Sequence, residues 1–285
     1  MSGKGNAVDR QASKAVVVGV DSTPGGLAAV TWAASEARRR DQRLRIVHAY
    51  ANRDSDRLGG VYRMLDDALL RARDTDPDVD VRIDLDADDP VPLLEREAQT
   101  ASVVVLGPPG RGGVTRRMVD GVGHPTFGLS APLVVVPETP TPVATAASVA
   151  VLVETSVGGT LVTAAAMAAA ARSNRRLRAI RVPEPGENHA DSVAMLDQLV
   201  ARACGAYPNV DIDTEVLSDR PMTVLAELSS EAALVVVSRL AFGGRHASLR
   251  SVRRSLLGWA HCPVMIVPTR LPKGTADPRS QRTAV

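Results

Sequence analysis

The chain repeats itself, and this feature constrains its fold more than any other. The run Arg-Leu-Arg-Ile-Val at 43–47 recurs as Arg-Leu-Arg-Ala-Ile at 176–180, which is 133 residues later. The closing run Pro-Leu-Val-Val-Val-Pro at 132–137 returns as Pro-Val-Met-Ile-Val-Pro at 263–268, at an offset of 131. The remaining matched blocks are 25–26 with 158–159, 103–105 with 234–236, and 112–113 with 243–244. Near-constant offsets over five blocks indicate a tandem duplication.

The duplication predicts two domains of ordinary size in 285 residues. We place domain 1 at residues 14–137 and domain 2 at residues 143–268. The linker at 138–142 lies in a stretch with three prolines in six residues, a composition typical of an extended, semi-rigid connector. The polar tails at 1–13 and 269–285 are expected to be disordered.

Each half alternates between strand-like and helix-like patterns. In the first half we predict strands at 15–20, 44–49, 79–85, 102–107 and 133–136, and helices at 27–39, 61–73 and 92–100. Aromatic residues make up only 2% of the chain, so its core must consist of Val, Leu, Ile and Ala. The predicted fold class is therefore α/β, with two tandem Rossmann-like domains, each a five-stranded, mostly parallel sheet with helices on both faces.

Composition excludes several classes of function. The formal net charge of +2 requires no acidic partner, and the scarcity of aromatic rings argues against single-stranded nucleic-acid binding. The cysteines, Cys204 and Cys262, show no metal-binding or disulfide spacing. The N-terminus is polar and the sequence contains no run of 18 apolar residues, so we expect no signal peptide, no membrane span and a cytoplasmic protein.

Two turns stand where the strands of a parallel sheet would end, the edge at which such sheets bind ligands. Asp21 follows the first strand, and the glycine-rich run 107–113 follows the fourth. Glycines between a strand and a helix let the backbone approach a phosphate, and the N-terminus of the helix then favours the anion. The structural alternative is that Asp21 caps a helix and that the glycines only turn the chain. The residues alone leave both interpretations open.

Several of these blocks together resemble one known family. The run Val-Val-Val-Gly-Val-Asp-Ser-Thr-Pro-Gly at 16–25 and the blocks at 33–37 and 46–49 are similar to the start of actinobacterial universal stress proteins. The blocks at 103–113 and 262–267 are similar to the ends of such proteins. The resemblance covers nearly all of residues 14–268, twice over. It implies small, dimerising α/β domains related to the adenine nucleotide α-hydrolases, of which many bind ATP without obvious turnover and others bind no nucleotide.

The resemblance also implies a nucleotide site in the first half. It places the contacts to ATP at Asp21, the backbone of Ala49, Gly107 and Gly110. The family's Gly-Ser pair, expected nine residues after Gly110, is replaced by Asp120-Gly121, which removes a hydroxyl and adds a carboxylate near the phosphates. Gly123-His124, two to three residues further along the chain, is a less favoured candidate for this pair. The run Asp88-Asp89-Pro90 also adds negative charge where the family has a glycine before proline.

The second half departs further from the nucleotide motif. Glu154 stands in place of Asp21. The two glycines fall on Ser238 and Ala241, or on Val237 and Leu240 with a shift of one residue, and Arg250-Ser251-Val252 stands where the family has Gly-Ser-Val. Since a side chain at a phosphate-cradling glycine occupies the space of the phosphate, we expect no ATP in the second half.

The sequence favours a non-enzymatic stress-response regulator that binds ATP, if at all, in domain 1. One alternative is a nucleotide-free scaffold that acts through a protein partner of unknown identity. An enzyme of the nucleotide α-hydrolase superfamily is disfavoured, because its characteristic loops are missing and no triad or nucleophile elbow is present. His48 is expected to pack or cap, Trp32 and Trp259 to lie in the core, and the alanines of 164–171 to pack a helix closely against the sheet.

The family's domains pair through their closing edge strands. Here these are 133–136 and 264–267, both apolar, and an uncovered apolar edge favours pairing. The linker tethers the two edges, so we predict that they pair within one chain and form a pseudo-two-fold unit. A homodimer of such chains is left as an open alternative.

Overall fold

A computed structural model describes residues 14–50, 58–87, 89–108, 115, 130–140, 147–153, 158–183, 186–238 and 260–268. The first half contains β1 (Ala15–Gly19), α1 (Pro24–Arg40), β2 (Leu44–Ala49), α2 (Leu58–Thr75), β3 (Val81–Asp86), α3 (Pro90–Ala98), β4 (Ala101–Leu106) and β5 (Leu133–Val135). The second half contains β6 (Val149–Val153), α4 (Gly159–Ser173), β7 (Leu177–Arg181), α5 (His189–Cys204), β8 (Ile212–Val216), α6 (Pro221–Glu231), β9 (Leu234–Ser238) and β10 (Val264–Val267). The predicted tails and the end of the predicted linker lie outside the described residues.

All ten described strands belong to one sheet, in the order β3-β2-β1-β4-β5-β10-β9-β6-β7-β8. Within each half every strand pair is parallel. The helices pack on both faces, as the alternation of strands and helices predicted. The order in the second half repeats that of the first about an axis between β5 and β10. The predicted fold class is thus confirmed, with the addition that the two sheets are continuous.

The two halves meet at a short antiparallel junction between β5 and β10. Val264 pairs with Val135, Met265 with Val134, and Ile266 with Leu133. All six side chains are at most 4% exposed. The apolar edges predicted from the sequence therefore pair within one chain, which leaves neither edge open to solvent.

The hydrophobic core is divided by sheet face and not by repeat. One cluster contains Val16 and Ala33 of the first half together with Val151 and Met167 of the second. The cluster on the opposite face likewise combines both halves, as Leu94 and Leu225 show. Because one sheet separates the two clusters and runs through both repeats, the two halves share their cores.

Helix α1 begins three residues earlier than the apolar periodicity predicted. The hydroxyl of Thr23 accepts a hydrogen bond from the Gly26 N–H (3.2 Å), and Pro24 occupies the first helical position. Thr23 thus satisfies one of the free N–H groups at the start of the helix, and proline needs no N–H there. Capping chemistry, not apolar spacing, decides where this helix starts.

The repeated arginine of the Arg-Leu-Arg motif has the same structural role in both halves. Arg45 on β2 pairs with Asp84 (2.8 Å) and with Glu97 (2.5 Å). Its counterpart in the second half, Arg178 on β7, pairs with Glu215 (3.4 Å) and Glu231 (3.2 Å). In each half one guanidinium joins the outer strand to the helix that follows it, which accounts for the repeat of this arginine without a ligand.

Candidate functional site

Three of the predicted contacts to ATP lie together at the carboxyl edge of the first-half sheet. Asp21 follows β1, Ala49 ends β2 and Gly107 follows β4. All three line one cavity of about 40 Å³, together with Pro90 of α3 and Thr115. The described residues therefore assemble this part of the predicted site, although the space between them is small.

Asp21 supports the start of helix α1. Its Oδ1 accepts hydrogen bonds from the Thr23 N–H (3.1 Å) and from the Thr23 hydroxyl. Thr23 in turn caps the helix, so Asp21 orients the capping residue without being the cap itself. This arrangement is close to the structural alternative raised by the sequence. The carboxylate is nevertheless exposed and lies beside the positive end of the helix dipole, where it remains accessible to a ligand.

Gly107 is required by the packing of two loops. A Cβ at Gly107 would lie 2.8 Å from the carbonyl carbon and oxygen of Gly25, and one at Gly25 would lie 2.4 Å from Cδ of Pro108. A side chain at either glycine would push the loop after β4 away from the start of α1. The absence of a side chain at Gly107 thus serves the fold first, whether or not a phosphate also approaches there.

Thr115 is a site residue that sequence reasoning missed. Its side chain is buried, and its hydroxyl donates a hydrogen bond to the carbonyl oxygen of Gly107 (2.9 Å). This bond joins the glycine turn to the chain eight residues later and closes one side of the cavity. No local pattern marks Thr115, because its partner is set by the path of the loop.

The remaining parts of the predicted motif cannot be placed. Gly110, Asp120 and Gly121 lie outside the described residues, as do Gly123 and His124. The predicted loss of the Gly-Ser pair therefore stays a prediction from sequence.

Two other residues near this edge have structural roles. The Asp89 carboxylate accepts a hydrogen bond from the Val91 N–H (3.0 Å) and caps α3. Part of the negative charge noted in the sequence thus stabilises a helix N-terminus. His48 Nδ1 lies 2.8 Å from the carbonyl oxygen of Val20. Since a carbonyl can only accept, this nitrogen donates the hydrogen bond, and His48 thereby joins β2 to the residue that follows β1.

At the corresponding edge of the second half, the described residues include buried side chains. Ser238, the counterpart of Gly107, is completely buried at the end of β9. Arg181 stands at the counterpart of His48 and is 1% exposed, with an amino group 2.5 Å from Glu187 Oε1. Glu154, Ala241 and residues 250–252 lie outside the described residues. A buried arginine, paired with the half-buried Glu187, and a buried serine occupy the positions that hold His48 and Gly107 in the first half.

Neither cysteine nor any described acidic cluster suggests metal chemistry. No group of three or more His, Cys, Asp or Glu side chains that could hold a metal ion occurs in the part of the chain that the structure describes. Cys204 and Cys262 are free thiols, and burial raises the pKa of Cys262 to about 12. Cys262 is thus a buried apolar side chain, as predicted. Among the described helices none is both long and apolar enough to cross a membrane.

Comparison with known proteins agrees with the fold and the repeat. Residues 12–137 match the Universal stress protein family. A universal stress protein of Mycobacterium tuberculosis is 30% identical over an alignment 285 residues long. The alignment spans 89% of this chain and 96% of that protein. A universal stress protein of Mycobacterium bovis is 28% identical over 288 residues, with coverages of 88% and 96%.

A solved structure with the same architecture extends the likeness to the whole fold. The universal stress protein from Archaeoglobus fulgidus aligns with a TM-score of 0.68 and 13% identity, covering 90% of this chain and 97% of that one. At this identity the likeness concerns the fold alone. The relatives in sequence, in contrast, align with both repeats along nearly their entire length, and this chain therefore belongs to the universal stress protein family.

Proposed function

We propose that this protein is a non-enzymatic regulator of the stress response that binds one ATP per chain, in its first half. The observation that carries the proposal is the convergence of Asp21, Ala49 and Gly107 on one cavity at the carboxyl edge of the sheet. In an open α/β sheet this edge is where nucleotides bind. The described residues supply a carboxylate for a ribose, a strand end for a base and a glycine turn for phosphates.

The described residues of the second half differ at the equivalent edge. The buried side chains of Ser238 and Arg181, the latter paired with the half-buried Glu187, occupy the equivalent edge. ATP would have to separate the buried Arg181 from its carboxylate partner, at a cost of about 3 kcal/mol. The proposed stoichiometry of one therefore rests on an asymmetry that is visible in the described residues.

The test is calorimetric titration of the full chain with magnesium ATP. We expect one site, and we expect Asp21→Ala to weaken binding about tenfold or more through loss of a charge-assisted hydrogen bond. Glu154→Ala, at the sequence counterpart in the second half, is the matched control and should change nothing. Two equivalent sites, or an Asp21→Ala variant that binds like the parent, would contradict the proposal.

A nucleotide-free scaffold is the second candidate, and one specific observation favours it. The cavity between Asp21 and Gly107 measures about 40 Å³, far below the roughly 300 Å³ at which small-molecule pockets begin. In that case the paired halves would act through protein contacts alone. Mass spectrometry that finds no nucleotide released from the purified protein, together with a titration that detects no binding at millimolar ATP, would select this function.

A further inference from the structure

A second and larger cavity, of about 490 Å³, lies between the two halves and apart from the carboxyl-edge site. Trp32 and Arg39 of α1 form one wall, and Ala169 of α4 and Arg175 form the other. The ends of strands from both halves, including Val136, line the rest. The volume falls within the range of about 300–1,000 Å³ that is typical of small-molecule pockets.

The cavity exists because α1 and α4 depart from the two-fold repeat. At the offset of 133, Trp32 corresponds to Ala165 and Glu36 to Ala169. The second-half helix therefore presents methyl groups where the first-half helix presents a large ring and a long carboxylate. Ala166 and Ala170 are completely buried, consistent with the predicted close packing on the sheet. Ala169 instead leaves space between the halves.

Basic side chains dominate the charge beside this cavity. Glu36 Oε2 accepts from Arg39 (3.1 Å), and its Oε1 accepts from Arg40 (2.6 Å). Arg172 of the second half also lies 3.5 Å from Oε1 at ion-pair distance. Three guanidinium groups thus share one buried carboxylate, so this cluster holds more positive than negative charge among the described residues.

Arginines of the first half lie close to arginines of the second half. Arg175 donates a hydrogen bond to the carbonyl oxygen of Ala147 (2.6 Å), and its pKa is lowered by burial and by the nearby charge of Arg39. The pKa of Arg172 is likewise lowered by burial and by Arg40. Burial is the larger cause of both shifts, and the smaller cause is repulsion between guanidinium groups of the two halves. An anion placed between Arg39 and Arg175 would reduce this repulsion.

We propose that this cavity binds a small organic anion with a planar or apolar body. Its carboxylate, phosphate or sulfonate group lies between Arg39 and Arg175, which present donors suited to such groups. Its apolar body packs on the ring of Trp32 and on the buried strand ends. Because α1 and α4 belong to different halves, the ligand bridges the two repeats.

The test is a fluorescence titration of the full chain with anilinonaphthalene sulfonate, an aromatic anion. Its uncharged analogue phenylnaphthylamine serves as the second probe. We expect one saturable site for the anion. Arg39→Gln and Arg175→Gln should each weaken the anion about tenfold or more, and both should leave the uncharged probe unchanged.

The matched control is Arg38→Gln, a neighbour on the same helix. Arg38 is 72% exposed in its side chain and lies 3.9 Å from Asp76, away from the cavity lining. It should bind both probes like the parent. Equal anion affinity in the parent and in folded Arg39→Gln and Arg175→Gln variants would overturn the proposal.

Glu36→Gln provides a change of opposite sign. It removes the one carboxylate of the arginine cluster and nearly preserves its shape, so the anion should bind about threefold or more tightly. The melting temperature should fall, because three arginines lose their shared partner. A folded Glu36→Gln variant that binds the anion more weakly than the parent would overturn the proposal, since a merely structural role for Glu36 predicts that loss.

Discussion

The two halves of this protein share one fold and differ at the edge where ligands would bind. Both present an apolar closing strand, Leu133–Val135 and Val264–Val267, and these strands pair residue by residue. At the carboxyl edge the first half has Gly107 and the exposed Asp21, whereas the second half has the buried Arg181 paired with Glu187. The two halves therefore share the apolar strands that join them, whereas their carboxyl edges differ in sequence and burial.

The largest effect is expected at the shared junction. Val135→Asp places a carboxylate opposite Val264 at a position that is 2% exposed. A buried, unpaired charge should destabilise the chain by about 4 kcal/mol or more. Because both cores cross the junction, calorimetry should show both halves melting together at a lower temperature. Val193→Asp, at an exposed valine of α5, should change stability by only about 0.5 kcal/mol. Independent melting, with the second half unaffected, would refute the shared core.

The next effect tests the buried arginine of the second half and its partner. Glu187→Ala removes the carboxylate that lies 2.5 Å from the 1% exposed Arg181. A guanidinium left buried without this partner should lower the free energy of unfolding by about 3 kcal/mol in urea denaturation. Glu227→Ala, at an exposed position on α6, is the control and should be nearly neutral. A loss below about 1 kcal/mol for Glu187→Ala would mean that this edge is more open to water than its burial indicates.

A repair of the first half would sharpen the difference between the edges. Asp120→Gly combined with Gly121→Ser restores the family's Gly-Ser pair, removing one negative charge and adding a hydroxyl donor. A charge-assisted hydrogen bond contributes roughly 1.5–3 kcal/mol, so affinity for ATP should rise about ten- to hundredfold in calorimetric titration. Asp120→Gly alone separates the charge from the hydroxyl. An unchanged affinity in a folded variant would show that the edge has lost its ligand for another reason.

The smallest effect concerns the start of the first helix in each half. Thr23 caps α1 with its hydroxyl, whereas the N-cap of α4 is Gly158, which has no side-chain hydrogen bond. Thr23→Ala should cost about 1 kcal/mol in thermal unfolding. It should also weaken ATP binding, because the Asp21 carboxylate loses the hydrogen bond from the Thr23 hydroxyl and keeps only the one from the backbone N–H of residue 23. Thr23→Ser, which keeps the hydroxyl, is the control. If Thr23→Ala were as stable as the parent, the cap would make no measurable contribution.

Local and periodic features were predictable. The alternation of strand-like and helix-like patterns predicted β2 with its observed bounds. Capping by Thr23 explains why α1 begins before the first residue of its apolar pattern. The repeat predicted two similar halves, and the family resemblance together with the apolar closing strands predicted that these strands pair. These features depend on neighbours along the chain or on a pattern that occurs twice, so they can be read from residue order.

The candidate site was only partly predictable. Asp21, Ala49 and Gly107 could be anticipated as a group, because strands of one parallel sheet end at the same edge. The contact between Thr115 and Gly107 and the fit of Gly107 against Gly25 could not, since each depends on the path of a loop in space. The same holds for Arg181, which reads as an ordinary strand arginine until its complete burial is seen.

The amino-acid sequence by itself determined the duplication, the α/β class and the apolar edges that join the halves. Only the tertiary structure decided that the two sheets become one, that each core belongs to both repeats, and that Trp32, Glu36 and Ala169 leave a basic cavity between them. The physical reason is that secondary structure follows from residues a few positions apart. Cavities and shared charges arise from side chains that are distant in sequence, whose separation is set when the whole sheet closes.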